Sequence, residues 1–157
     1  MKRKRIMIAG PARSGKSALA NFLNGEERPL KRTLDTSYRQ RTLEVPSAYL
    51  ENTWMYQHLI ALAQDAWCIL VLVDQENPQQ LYSPGFAQIF RCPVVGVISK
   101  CDLAPQNRAL VERQLAEIGV AAPYFAVSMV TGEGLDDLEQ YLQELEGGRK
   151  HEVHHRK

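Results

Sequence analysis

Eight consecutive residues, Gly10-Pro-Ala-Arg-Ser-Gly-Lys-Ser17, fit the spacing G-x-x-x-x-G-K-[ST], and their flanks decide how the surrounding chain folds. Before them, Arg5-Ile-Met-Ile-Ala-Gly10 is a short apolar run ending in glycine, the mark of a buried strand. After them, residues 17–24 carry Leu19, Phe22 and Leu23 on one side, with Gly25 just beyond, the mark of a short helix. Strand, glycine loop and helix in that order suit a bound phosphate. The glycines let backbone N–H groups turn inward, and Lys16 brings a cation to the β- and γ-phosphates. The Ser17 hydroxyl can ligate Mg²⁺, and the helix N-terminus adds its positive end. The expected cradle is Gly10, Ser14, Gly15, Lys16, Ser17 and Ala18, and the expected ligand is a nucleoside triphosphate.

The rest of the chain continues the alternation. Residues 26–38 are polar and basic without a clear period and read as a loop. Residues 39–45 read as a strand stopped by Pro46, and 53–65 as a helix with Met55, Leu59 and Leu62 along its apolar stripe. Residues 67–73 are apolar on both faces, as a central parallel strand requires. Residues 75–91, with Pro78, Pro84 and Gly85, read as a long irregular connection holding one helical turn at 86–90. A strand at 93–98 precedes a helix from Pro105, with Leu110, Val111, Leu115 and Ile118 on one face. A short strand at 124–127 and a helix at 135–146 complete the domain of residues 1–146, and 147–157 is a polar tail. Strands alternating with helices predict three α/β/α layers around a mainly parallel sheet.

Composition narrows the setting. At 157 residues and 45% hydrophobic, the chain is one domain able to bury a core without disulfides or metal. Cys68, Cys92 and Cys101 are unpaired in spacing and no apolar run nears a membrane span, so a cytosolic protein is expected. The net charge of +1 conceals a split. Residues 1–41 hold eleven Lys/Arg against three acids, and the remainder holds eight against fifteen. The basic part calls for a polyanionic partner. One component is the bound triphosphate. Lys2 to Arg5 form a basic terminus, and Arg28, Lys31, Arg32, Arg39 and Arg41 favour a docking protein over nucleic acid, because no interleaved aromatic platform accompanies them.

Ser99-Lys100-Cys101-Asp102 follows a predicted strand some eighty residues after the phosphate loop. A carboxylate there can accept two N–H bonds from guanine, a donor pair that adenine lacks, while the Lys100 stem lies along the base. Backbone N–H groups at Ser128 and Met129 can meet the guanine O6. In this order the three elements resemble the small Ras-like GTPases of the translation-factor class, with Ser99 standing where an Asn is usual. A fuller resemblance covers the chain to its last helix. It runs through the phosphate loop, Tyr49-Leu-Glu-Asn52, Ser83-Pro-Gly-Phe86, Pro93-Val-Val-Gly96 and Lys100-x-Asp102. These stretches resemble the EutP/PduV family of bacterial microcompartments for ethanolamine or propanediol use, the Ser-Pro-Gly-Phe stretch more the propanediol branch. The resemblance implies a Ras-like P-loop NTPase fold, GTP/GDP with Mg²⁺, service to a microcompartment shell or an associated protein, and no specific nucleic acid.

It also marks departures. The family's Asp-Thr-Pro-Gly-Glu-Tyr stands here as Glu44-Val-Pro-Ser-Ala-Tyr49. Glu44 is expected to support Mg²⁺ through a water on one extra methylene. Ser47 is less free than glycine, and Ala48 cannot orient an attacking water. Slow hydrolysis is expected, with a non-hydrolysing docking module as the alternative and a small metabolite kinase as a third reading. Thr33 is the expected Mg²⁺-contacting loop residue, with Thr36 its rival. Arg13, inside the phosphate loop, is either a catalytic finger in cis or a solvent-facing side chain. Cys101 is read as incidental, and His151, His154 and His155 as tail residues without fixed metal geometry. The sequence leaves the oligomeric state open.

Overall fold

The computed structural model describes residues 4–30 and 36–155, the backbone alone from 149 onward. The chain runs β1 (Arg5–Ala9), α1 (Lys16–Asn24), β2 (Ser37–Tyr38), β3 (Thr42–Glu44), α2 (Ala48–Glu51), a 3₁₀ turn (Thr53–Met55) and α3 (Tyr56–Ala63). It continues through β4 (Ala66–Asp74), a 3₁₀ turn (Phe86–Ile89), β5 (Val94–Ser99), a 3₁₀ turn (Pro105–Asn107), α4 (Arg108–Glu117), β6 (Tyr124–Ala126) and α5 (Leu135–His155). The six strands lie in the order β2-β3-β1-β4-β5-β6, all parallel except the β2–β3 pair.

Alternation along the strands creates two cores. Ile6 and Ile8 of β1 face one way with Leu70 and Leu72 of β4, packing under Leu19 and Leu23 of α1 and Leu138 and Leu142 of α5. Met7, Ile69 and Val71 face the other way, onto Leu59, Phe86, Val111 and Leu115. Both faces of β4 are therefore covered, which explains its uninterrupted apolar run. Sheet order reverses direction around β1, so a crevice opens beyond the carboxyl ends of β1, β3 and β4, the place where open α/β sheets hold ligands.

Five local expectations need correction. The strand at 39–45 is the shorter β3, paired with β2 in a hairpin. The chain turns between them because Arg39 N–H bonds Thr42 O, while Arg41 N–H is drawn to the Asn24 side chain of α1. The helix at 53–65 is two pieces, the 3₁₀ turn Thr53–Met55 and α3 Tyr56–Ala63. Asn52, extended at φ −127° and ψ 115°, breaks the ladder after α2, and within the expected stripe Leu59 is buried while Met55 and Leu62 are half-buried. The helix from Pro105 opens as a 3₁₀ turn and becomes α4 only at Arg108. Leu110 is 40% exposed, because the buried row is Val111, Leu115 and Ile118, and Leu110 lies one residue round the helix from it. Finally, α5 runs past residue 146 to His155, since Gly147 and Gly148 weaken a helix without stopping it as proline would. The side chains of His151, His154 and His155 lie outside the described residues.

Candidate nucleotide-binding site

The loop between β1 and α1 is held open by its own contacts. A Cβ on Gly10 would lie 2.8 Å from Ser14 Oγ and 2.9 Å from Leu72 Cβ, so only glycine lets the loop leave the sheet this closely. Ser14, fully buried, donates its hydroxyl to Pro11 O at 2.7 Å. Lys16 folds back over the loop, its Nζ donating to Gly10 O and Pro11 O, both at 2.9 Å. Burial pushes the Lys16 ammonium down to about 8, against the opposing pull of Glu44. Such a cation gains from an anion placed beside it. Beneath the loop, buried Tyr82 offers its hydroxyl to Leu72 O at 2.8 Å and Ala9 O at 3.3 Å, tying the ends of β4 and β1 together.

Ser17 and Glu44, the residues expected at Mg²⁺, meet at the start of α1. Ser17 Oγ donates to Glu44 Oε2 at 3.0 Å, and Glu44, at the end of β3, is 1% exposed. A hydroxyl and a carboxylate at this spacing are hard oxygen donors of the kind Mg²⁺ takes alongside phosphate oxygens and water, so the residues present fit that ion. The other carboxylate oxygen, Oε1, accepts from Arg39 Nη2 at 3.2 Å. Among the described residues no three His, Cys, Asp or Glu gather as a separate metal cluster. Thr33 lies outside the described residues, and Thr36 is half-buried. Arg13 is exposed and sits at φ +65°, a left-handed conformation that costs a non-glycine residue about 1–2 kcal/mol. Ala18 is half-buried in the first turn of α1.

The Ser99–Asp102 segment, expected to read a base, is braced more heavily than its sequence announces. Lys100, at φ +56°, sends Nζ to Asp74 Oδ2 at 2.8 Å and to Glu76 Oε1 at 3.7 Å. Asp74 Oδ1 accepts from the backbone N–H of Glu76 and Asn77. Asp102 is exposed, its carboxylate on the rim. Ser99, too short to tie to the phosphate loop, instead donates to Val73 O at 3.2 Å. The brace comes from buried Gln75. Its Nε2 donates to Cys101 O at 3.2 Å and Leu103 O at 2.7 Å, while Oε1 accepts from Arg108 Nε at 2.6 Å. No motif flags Asp74, Gln75 or Arg39, and the only sequence signal for the first two is their place at the end of the apolar run of β4.

Two expectations for the last loop change. Ser128 N–H, expected to be available to a base, is taken by Glu133 O at 3.0 Å. The Ser128 hydroxyl accepts from Val130 and Thr131 N–H and holds the turn. Cys101 is not incidental. Its thiol donates to Glu133 Oε2 at 2.8 Å, joining the loop after β5 to the loop after β6, and burial with the adjacent carboxylate pushes it up to about 11.

A phosphate loop at the reversal point of a six-stranded sheet, with Ser17 and Glu44 alongside and a Lys-x-Asp segment at the end of β5, defines the Ras-like P-loop NTPase fold. Translation elongation factor SelB from Methanococcus maripaludis, in complex with the GTP analogue GPPNHP, shares that fold. Its TM-score is 0.64 at 18% identity, over 94% of this chain and 35% of that one. The chain belongs to the PduV-EutP family, described as ethanolamine utilisation - propanediol utilisation, whose model matches residues 3–144. It is 34% identical over 144 residues to the propanediol utilization protein PduV of Citrobacter freundii, covering 91% of this chain and 95% of that protein. It is 26% identical over 158 residues to the protein named "Probable acetate kinase EutP" of Escherichia coli (strain K12), covering 97% and 98%.

Proposed function

We propose that this protein is a small guanine-nucleotide-binding protein serving propanediol or ethanolamine utilisation. In this reading it holds GTP or GDP with Mg²⁺, hydrolyses GTP slowly, and docks on a microcompartment shell or an associated protein. The observation that carries the reading is the buried Lys16 ammonium, held over the phosphate loop one helical residue from the Ser17–Glu44 pair. Lys16 takes the β- and γ-phosphates, Ser17 ligates Mg²⁺, Glu44 orients a metal-bound water, and Asp102 with Lys100 selects guanine. Slow turnover follows from Ala48, exposed and unable to hold a nucleophilic water, and from Ser47, which opens α2 already in helical backbone. Nucleotide binding by the native chain and Lys16→Ala, followed by phosphate release from GTP with Mg²⁺, tests this. Release no faster than from Lys16→Ala leaves a docking module that does not hydrolyse.

A second reading is favoured by the name of the Escherichia coli relative: phosphoryl transfer to acetate. The same loop can serve it, since Lys16 and Mg²⁺ neutralise a transferring phosphoryl group as readily as a hydrolysed one. Labelled γ-phosphate, with acetate supplied, separates the two by the product formed.

A further inference from the structure

Arg39 is buried, its side chain 5% exposed, and it lies against the Mg²⁺-related carboxylate. A line of contacts runs from Ser17 Oγ to Glu44 at 3.0 Å and from Glu44 to Arg39 Nη2 at 3.2 Å. We propose that Arg39 is a resident counter-ion for Glu44 that weakens the site's hold on Mg²⁺, so that guanine nucleotide stays bound with little help from the metal. This rests on the nucleotide reading above.

The guanidinium keeps its charge at every accessible pH. It cannot swing away. Nη1 donates to Asn21 on α1, its backbone N–H donates to Thr42 O, and its carbonyl accepts from Arg5 Nε. Glu26 is the other acid near it, at 4.0 Å. Its Nε has no partner among the described residues, so Glu44 is the main compensation for this cation. A metal ligated by Ser17 therefore meets a carboxylate whose field is already spent, with a fixed positive charge one carboxyl group away. Burial keeps salt from screening that repulsion. Glutamate has the extra methylene needed to reach Ser17 and Arg39 together, which gives the departure from Asp a physical purpose.

The test uses the full chain loaded with a fluorescent GDP analogue. Its dissociation rate is measured in excess Mg²⁺ and in EDTA, and the ratio of the two reports metal linkage. EDTA is expected to speed release from the native protein less than about tenfold, and the ratio is expected to rise at least about tenfold further in Arg39→Gln. Arg39→Lys, which keeps the charge, is expected to behave as native. A native ratio above about tenfold overturns the proposal and needs no variant to fold. An unchanged ratio in Arg39→Gln, the result for a merely structural arginine, also overturns it, as does an equal rise in Arg39→Lys. A native chain that retains no GDP at all defeats the nucleotide reading and this inference together, whereas retention with a high ratio defeats only the inference.

Discussion

Replacing Gln75 with leucine removes one side chain on which two backbone carbonyls and one guanidinium depend. Its amide serves two carbonyls, Cys101 O at 3.2 Å and Leu103 O at 2.7 Å, and its oxygen receives the charged Nε of Arg108 at 2.6 Å. Gln75 is fully buried, so no water stands ready to replace it. Two neutral bonds at about 1 kcal/mol each and one charged bond at about 1.5–3 kcal/mol give a loss of about 3–5 kcal/mol. For a chain of this size that lowers the melting temperature by roughly 10 °C. Urea unfolding of native and Gln75→Leu proteins at one pH measures it directly. Arg108→Met alone should lose the charged share only, and the double variant should cost less than the two singles added, because they share a bond. A Gln75→Leu loss below about 1 kcal/mol would refute the reasoning, since it would show that the three partners find others at no cost. Where Gln75→Leu remains folded, its guanine affinity should also fall, because the freed carbonyls belong to the segment that carries Asp102.

Lys16 gives a pH signature. Its folded pKa of about 8 lies below the ordinary lysine value of 10.5, so the unfolded chain binds more protons between them and stability rises with pH through that window. Bound phosphate restores the charge, so GDP affinity should be flat below pH 8 and decline above it, by up to about tenfold per unit. Calorimetry across pH 7–10 checks this, and Lys16→Arg should flatten the profile. Gly134→Ala should prevent folding or cost more than about 3 kcal/mol, because its Cβ would overlap Ala126 O at a φ of +77°. Circular dichroism melting reads that outcome.

What was legible in the sequence follows from chain continuity. The phosphate loop, the strand before it and the helix after it are adjacent residues, and the all-apolar run at 67–73 shows its two-sided burial without any partner being known. Glu44 was visible through its family position, although its hold on Ser17 was not. Arg39, Asp74 and Gln75 act across 5, 26 and 28 residues of chain, and polar residues in loops carry no periodicity that would mark them. The β2–β3 hairpin was hidden for the same reason, since it is set by Asn24 capturing the Arg41 backbone. Ser128 misled because a backbone donor looks available until the turn that consumes it, closed by Glu133 O, is seen.

In the proposed function, Asp102 reads the guanine base. Competition of GTP and ATP against a bound fluorescent GDP analogue, in the native chain and in Asp102→Asn, tests it most directly. Two N–H bonds to one carboxylate are worth about 3 kcal/mol or more, so GTP should displace the probe at least about a hundredfold more effectively than ATP. Asp102→Asn should erase most of that preference. ATP competing as well as GTP in the native protein, or a preference that survives in Asp102→Asn, would contradict the account.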